Sequence, residues 1–104
     1  MSVTRAAPDR AAVEAELHAV ADPLISFIAG KHVGYGASFD RIFGTYGLPS
    51  IGPRLADKYH RIEHCLLHPD DPGAGDKLTD AIKDLVGYCL LTLRHTEGVV
   101  DDAR

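Results

Sequence analysis

Residues 76–93 carry two helical patterns at once, and a helix is the one regular structure that accommodates both. Asp76, Asp80 and Asp84 fall at every fourth position, and Tyr88 continues the register. At 3.6 residues per turn a step of four advances about 40° round the axis, so the three carboxylates climb one face over about two turns. On the opposite side Leu78, Ile82, Leu85, Cys89 and Leu93 repeat at the three-and-four spacing of a buried seam. The seam predicts where this helix packs and therefore where the carboxylates point.

Carboxylates at this spacing repel one another by a few tenths of a kcal/mol per pair, roughly, and water with nearby lysines can absorb that. One reading of the stripe is a solvated face. Tyr88 and Leu91 lie on or beside the same face, however, so that side also meets apolar material. Carboxylates beside apolar packing need neutralising, and hard divalent cations are the usual partner of oxygen-only clusters. The second reading is a metal site.

The rest of the chain is punctuated by proline and glycine. A first helix is predicted from about Pro8 to Ile28, with Pro8 in the first turn and Val13, Leu17, Val20, Leu24 and Phe27 as its apolar stripe. Pro23 is expected to kink or split it. From Gly30 to Pro53 glycines crowd among Tyr35, Phe39, Phe43 and Tyr46, which predicts an ordered loop with a helical turn near Ser38 to Phe43. A second helix is predicted from about Arg54 to Leu67, with Leu55, Tyr59, Ile62 and Leu66 on one side and Arg54, Asp57, Lys58, Arg61, His64 and His68 on the other. The turn-rich HPDDPGAG leads into the closing helix at Asp76, and the tail after Glu97 is expected to fray. The fold expected is a single all-α domain over residues 1–104, a bundle of three or four helices with its core at about residues 10–95.

A chain of 104 residues makes a modest core, so completion by a homo-oligomer, dimer or tetramer, is expected. The net charge of −4 argues against a grip on polymeric nucleic acid, which requires a basic surface. Local basic residues can still serve a small phosphate. The two cysteines, Cys65 and Cys89, are too far apart for a zinc knuckle and fall on helices, so they read as reduced, near-core residues. No stretch is long enough for a membrane span, and MSVTRAAPDR lacks the apolar core of a signal peptide, which places the expected site of action in the cytoplasm.

Asp57 and Arg61 form an i,i+4 pair of the sort that is ordinarily a minor stabiliser. The functional reading is that Asp57 joins the acidic stripe across the bundle while Arg54, Lys58 and Arg61 face a polyphosphate. His60, His64 and His68 repeat at four without the cysteines or HExxH pattern of a zinc site, and read as surface or partly buried histidines. The G-x-G at residues 34–36 lacks both the third glycine of a dinucleotide loop and the Lys-Ser ending of a P-loop, so by itself it marks a tight turn. Beside Tyr35 and Ser38 it could also line a pocket that stacks a base.

Taken together, GYGASF at 34–39, RLADKYHRI at 54–62 and DKLTDAIKDLVGY at 76–88 resemble the nucleotide modification associated domain group of MazG-like proteins, in the all-α nucleoside triphosphate pyrophosphatase superfamily frequent in bacteriophages. The likeness covers roughly residues 20 to 95. It implies substrate contacts at Tyr35, Gly36, Ser38, Arg54, Lys58, Arg61 and Tyr88. It also implies Mg²⁺ or Mn²⁺ at Asp57, Asp76, Asp80 and Asp84, with Asp57, Asp80 and Asp84 catalytic. The activity implied is hydrolysis of a nucleoside triphosphate to the monophosphate and pyrophosphate, in the host cytoplasm for a phage-encoded chain. Asp76 stands where the family commonly has glutamate and Lys77 where it has serine, and the E-x-x-E and E-x-x-D pairs are missing. Those departures leave a second expectation, a non-catalytic protein that sequesters a nucleotide signal or assists nucleotide modification. A third is a helical interaction module whose acidic stripe is only a wet face.

Overall fold

The computed structural model describes Ala7 and residues 9–100. Within them the chain is four α-helices and no strand: α1 (Arg10–Gly34), α2 (Ser38–Tyr46), α3 (Ile51–Leu67) and α4 (Ala74–Thr96), with a single 3-10 turn at Leu48–Ser50. The expected all-α class is therefore present. The first-turn role expected of Pro8 lies outside the described residues, as do residues 101–104 of the tail.

Helix α1 starts at Asp9, whose extended backbone lets its carboxylate accept from the Ala11 N–H at 3.2 Å. It runs past the expected end at Ile28 to Gly34, and Pro23 sits inside it without dividing it. The helix stops in a Schellman turn, in which the Ala37 N–H donates to the His32 carbonyl at 2.9 Å and the Gly36 N–H to Val33 at 3.0 Å. Gly36 takes φ 65° there, a left-handed geometry that glycine adopts without a Cβ clash. The G-x-G is thus a helix stop. Between Gly30 and Pro53 the expected helical turn near Ser38 to Phe43 is present and extends to Tyr46 as α2, while much of the expected loop is instead the end of α1, the 3-10 turn and the start of α3.

Helix α3 begins at Ile51, ahead of the expected Arg54, because Pro53 falls in the first turn, where no intrahelical N–H is required. It returns antiparallel along α4. Its inner side is Ile51, Leu55, Lys58, Ile62 and Cys65, whereas Tyr59 and Leu66 of the expected stripe are exposed. On α4 the buried positions are Ala74, Ala81, Gly87 and His95. Ile82 and Leu93 of the expected seam face outward, and Leu78, Leu85 and Cys89 are half-buried. Close helix approach selects the smallest side chains for the line of contact, and that line is rotated from the bulky one that periodicity picks out.

The core proper is Phe39, Phe43 and Ile51, flanked by Leu55, Tyr88 and Leu91. Ile28 of α1 rests over Gly87, where an added Cβ would lie 3.4 Å from Ile28 Cγ1. The chain end does not fray through Val100: Val99 donates to the Arg94 carbonyl at 2.8 Å and Gly98 to His95 at 3.1 Å, a second Schellman turn. No helix among the described residues is long and apolar enough to cross a membrane.

Candidate functional site

The packing of α1, α2, α3 and α4 leaves a cleft of about 160 Å³ whose walls come from all four helices and the turn after α1. Aromatic rings supply much of the lining: Phe27, Tyr35, Phe39 and Tyr88. Among the described residues the charged groups that line it are Lys31, Arg54, Lys58 and Lys83 on one side of the ledger and Asp84 on the other, with the His32 imidazole beside them. In a chain with net charge −4 this is a local reversal of sign.

Rings hold the cations in place. The Arg54 guanidinium lies 5.3 Å from the Phe39 ring centre and 5.4 Å from that of Tyr88, and Lys58 Nζ is 5.7 Å from Tyr88. Lys31 sits 5.3 Å from the Phe27 ring. Such contacts order a cation without neutralising it. Among the described residues no carboxylate pairs with Arg54, Lys31 or Lys83, so three cations face the cleft with their charge uncancelled.

Asp57, Asp80 and Asp84 share a second groove on the α3–α4 surface, with Arg61, Lys77, His60 and His64. Asp84 belongs to both depressions. Asp76 is exposed near the start of α4 and lines neither. Lys58 Nζ stands 3.4 Å from Asp84 Oδ2 and 3.7 Å from Asp57 Oδ2, with its side chain 12 % exposed. An ammonium therefore occupies the position between two of the carboxylates implied as metal ligands. Among the described residues no group of three or more His, Cys, Asp or Glu is gathered around one point.

The remaining sequence-derived candidates are distributed as follows. Tyr35 and Ser38 stand at the cleft beside Arg54, Lys58 and Tyr88, whereas Gly36 caps α1 and does not line it. Arg61 lies in the second groove, 3.7 Å from Asp57. His60 and His64 approach Glu63 and Asp71 at 3.8 and 3.6 Å, and the His64 and His68 rings are 4.4 Å apart, all at the surface. Cys65 and Cys89 are free thiols, the first buried and the second half-buried.

Sequence reasoning missed a polar hub behind the cleft. Asp40 of α2 accepts from Arg94 through both carboxylate oxygens at 3.2 and 3.0 Å, and its oxygens lie 2.7 Å from His95 Nε2 and 2.9 Å from His32 Nε2. Burial pushes the carboxyl pKa up, but the hydrogen bonds from Arg94, His95 and His32, with the Arg94 charge, outweigh it and lower the value from 3.8 to about 2. The hub ties α1, α2 and α4 together. His95 also stacks on Phe43 with ring centres 4.1 Å apart and planes 16° apart, and Phe39 stacks at 6.0 Å on Tyr88. A continuous set of rings thus runs from Asp40 to the two aromatics that carry Arg54. The only local signal for it was the basic pair Arg94 and His95 in the last turn of α4, where cations suit the helix dipole.

No protein-family model matches the chain, no curated protein matches it, and no solved structure matches it.

Proposed function

We propose that this chain is a nucleotide-binding protein and that the cleft between the four helices is its site. The observation that carries the reading is the convergence of Arg54, Lys31 and Lys83, free of carboxylate partners among the described residues, on a cleft walled by Phe27, Tyr35, Phe39 and Tyr88. Aromatic walls suit the flat face of a base, and a forked guanidinium with two ammonium groups suits a phosphate chain. Ser38 beside them offers a hydroxyl to a sugar or phosphate oxygen. The resemblance to MazG-like nucleotide proteins supports the same ligand class through Tyr35, Ser38, Arg54, Lys58 and Tyr88. The proposal has the chain acting as a homo-oligomer in the cytoplasm on a small molecule, not on polymeric nucleic acid.

The second reading is the Mg²⁺- or Mn²⁺-dependent pyrophosphohydrolase that the resemblance implies. It has one observation on its side, that Asp57, Asp80 and Asp84 border a common groove and Asp84 reaches the cleft. The binding reading is preferred because the Lys58 ammonium already lies within ion-pair reach of two of those carboxylates.

The test is incubation of the purified chain with canonical and modified nucleoside mono-, di- and triphosphates, with Mg²⁺, with Mn²⁺ and with chelator. Bound ligand is then recovered by denaturation and chromatography. The expected result is intact nucleotide, retained equally with chelator. Metal-dependent monophosphate and pyrophosphate would replace this reading by the second. Neither retained nucleotide nor product in any arm would refute both.

A further inference from the structure

Helix α1 is apolar on two adjacent sides, and the chain covers one of them. Ala21, Leu24, Ile28 and His32 turn toward the other helices and are half-buried. Val13, Leu17, Val20, Leu24 and Phe27 follow one another at steps of four, three, four and three, the spacing of a helix–helix seam. Among the described residues that seam is uncovered over most of its length: Leu17 is 62 %, Val20 70 % and Phe27 57 % exposed. From Arg10 to Val20 every residue except Val13 is exposed, and no residue of α1 is buried.

The dimensions of the chain say how much is left uncovered. Its radius of gyration is 16.7 Å, against about 13 Å for a compact domain of this length. Its accessible surface is 7781 Å², against about 5,700 Å² for a folded monomer of 11.2 kDa. The surplus of about 2,000 Å² is spread over the whole chain rather than confined to the seam, and it leaves room for the roughly 800 Å² that each partner gives to a standard interface.

We propose that the Val13-to-Phe27 seam of α1 is the interface of a homodimer, with the same seam of a second copy as its occupant. The spacing itself selects a second copy. Laid antiparallel about Val20, the seam sets Val13 against Phe27, Leu17 against Leu24 and Val20 against its own equivalent, so apolar meets apolar at every step, as a two-fold axis requires. The interface also bears on the cleft, because α1 contributes Phe27, Lys31 and Tyr35 to its open wall. At about 160 Å³ the cleft is smaller than the roughly 300–1,000 Å³ of sites that enclose a small molecule, and a partner lying over Phe27 extends that wall. This last consequence rests on the nucleotide-binding reading; the association does not.

The full chain is examined by sedimentation velocity from about 1 to 100 µM, beside Leu17→Glu/Val20→Glu and the matched surface pair Leu66→Glu/Leu67→Glu. Wild type and the α3 pair are expected at twice the chain mass, and the α1 pair at the chain mass. Amide hydrogen exchange on wild type needs no variant: residues 13–27 should be protected at the high concentration and lose protection on dilution. A monomeric wild type at about 100 µM overturns the proposal. So does an α1 pair that stays dimeric, a dimer that only the α3 pair breaks, or α1 protection independent of concentration. A dimer that retains no nucleotide leaves the interface standing and removes the functional reading alone.

Discussion

Asp40→Asn is the substitution from which the fold should suffer most for the smallest change in shape. It removes one charge from a carboxylate that Arg94 grips through two hydrogen bonds and that His95 and His32 approach at 2.7 and 2.9 Å. A hydrogen bond to a charged group is worth about 1.5–3 kcal/mol, and members of one network are not additive. With the Asp40 side chain 28 % exposed, solvent screening trims the total, and a loss of about 2–3 kcal/mol is expected. For a domain of this size that lowers Tm by roughly 10–20 °C, read by circular dichroism at matched protein concentration. The acid limb gives an independent check. The carboxyl takes up its proton near 3.8 when unfolded and near 2 when folded, so between those values the unfolded chain binds the extra proton. The contribution is therefore complete above pH 3.8 and fades as pH falls through about 2. Wild type should lose about 1–2 kcal/mol there that the Asn variant does not, and the two should converge in acid. A Tm difference within about 2 °C at neutral pH, or a difference that persists unchanged at pH 2, refutes the hub as a stabilising element.

Two further substitutions address the cleft. Arg54→Ala should weaken nucleotide binding about 10- to 100-fold in calorimetry, the equivalent of one charge-assisted contact, with helix content retained; unchanged affinity would remove Arg54 from the site. Lys58→Met keeps the packed stem but withdraws the ammonium from between Asp57 and Asp84, so Mn²⁺ should raise the Tm of this variant by a few degrees and leave wild type unmoved. A shift of equal size in both would show that the lysine does not stand in for a cation.

Helix content and helix order are readable in this sequence because proline and glycine mark most of the joints. Pro69 closes α3, and the carboxylate register fixes α4 within a residue or two. The faces are not readable, for two reasons. The chain holds more apolar surface than one copy covers, so the periodicity of α1 points to the Leu17 and Val20 side as strongly as to the Ile28 side. On α3 and α4 the line of contact passes through Ala74, Ala81, Lys58 and Cys65, residues that a search for bulky apolar positions ranks last. The segment from Gly30 to Pro53 misled in a third way: its glycines end helices as well as open loops, and Gly36 and Gly47 do the former. Of the candidate site, Tyr35, Ser38, Arg54, Lys58, Asp84 and Tyr88 meet at the cleft, whereas Lys31, His32 and Lys83 enter it through the packing of α1 and α4. The Asp40 hub joins residues up to 55 positions apart, a separation that leaves no local pattern.

Asp84 decides between the two functional readings, because they assign it opposite signs. Among the described residues it is the one carboxylate that lines the cationic cleft, and it holds Lys58 Nζ at 3.4 Å. If the cleft receives phosphate by charge alone, Asp84 repels the ligand and engages a cation that would otherwise meet it. Asp84→Asn then removes a repulsion and releases Lys58 while keeping the side chain's volume. With the carboxylate 34 % exposed, the gain is on the order of 1 kcal/mol, or three- to tenfold tighter binding by calorimetry. If Asp84 is instead a ligand of a catalytic Mg²⁺, the same substitution lowers metal-dependent affinity and abolishes release of pyrophosphate, and it cannot tighten binding in chelator. Affinity measured in chelator for wild type and Asp84→Asn separates the cases by sign. Weaker binding by the variant would refute the electrostatic account of the cleft, whatever the oligomeric state.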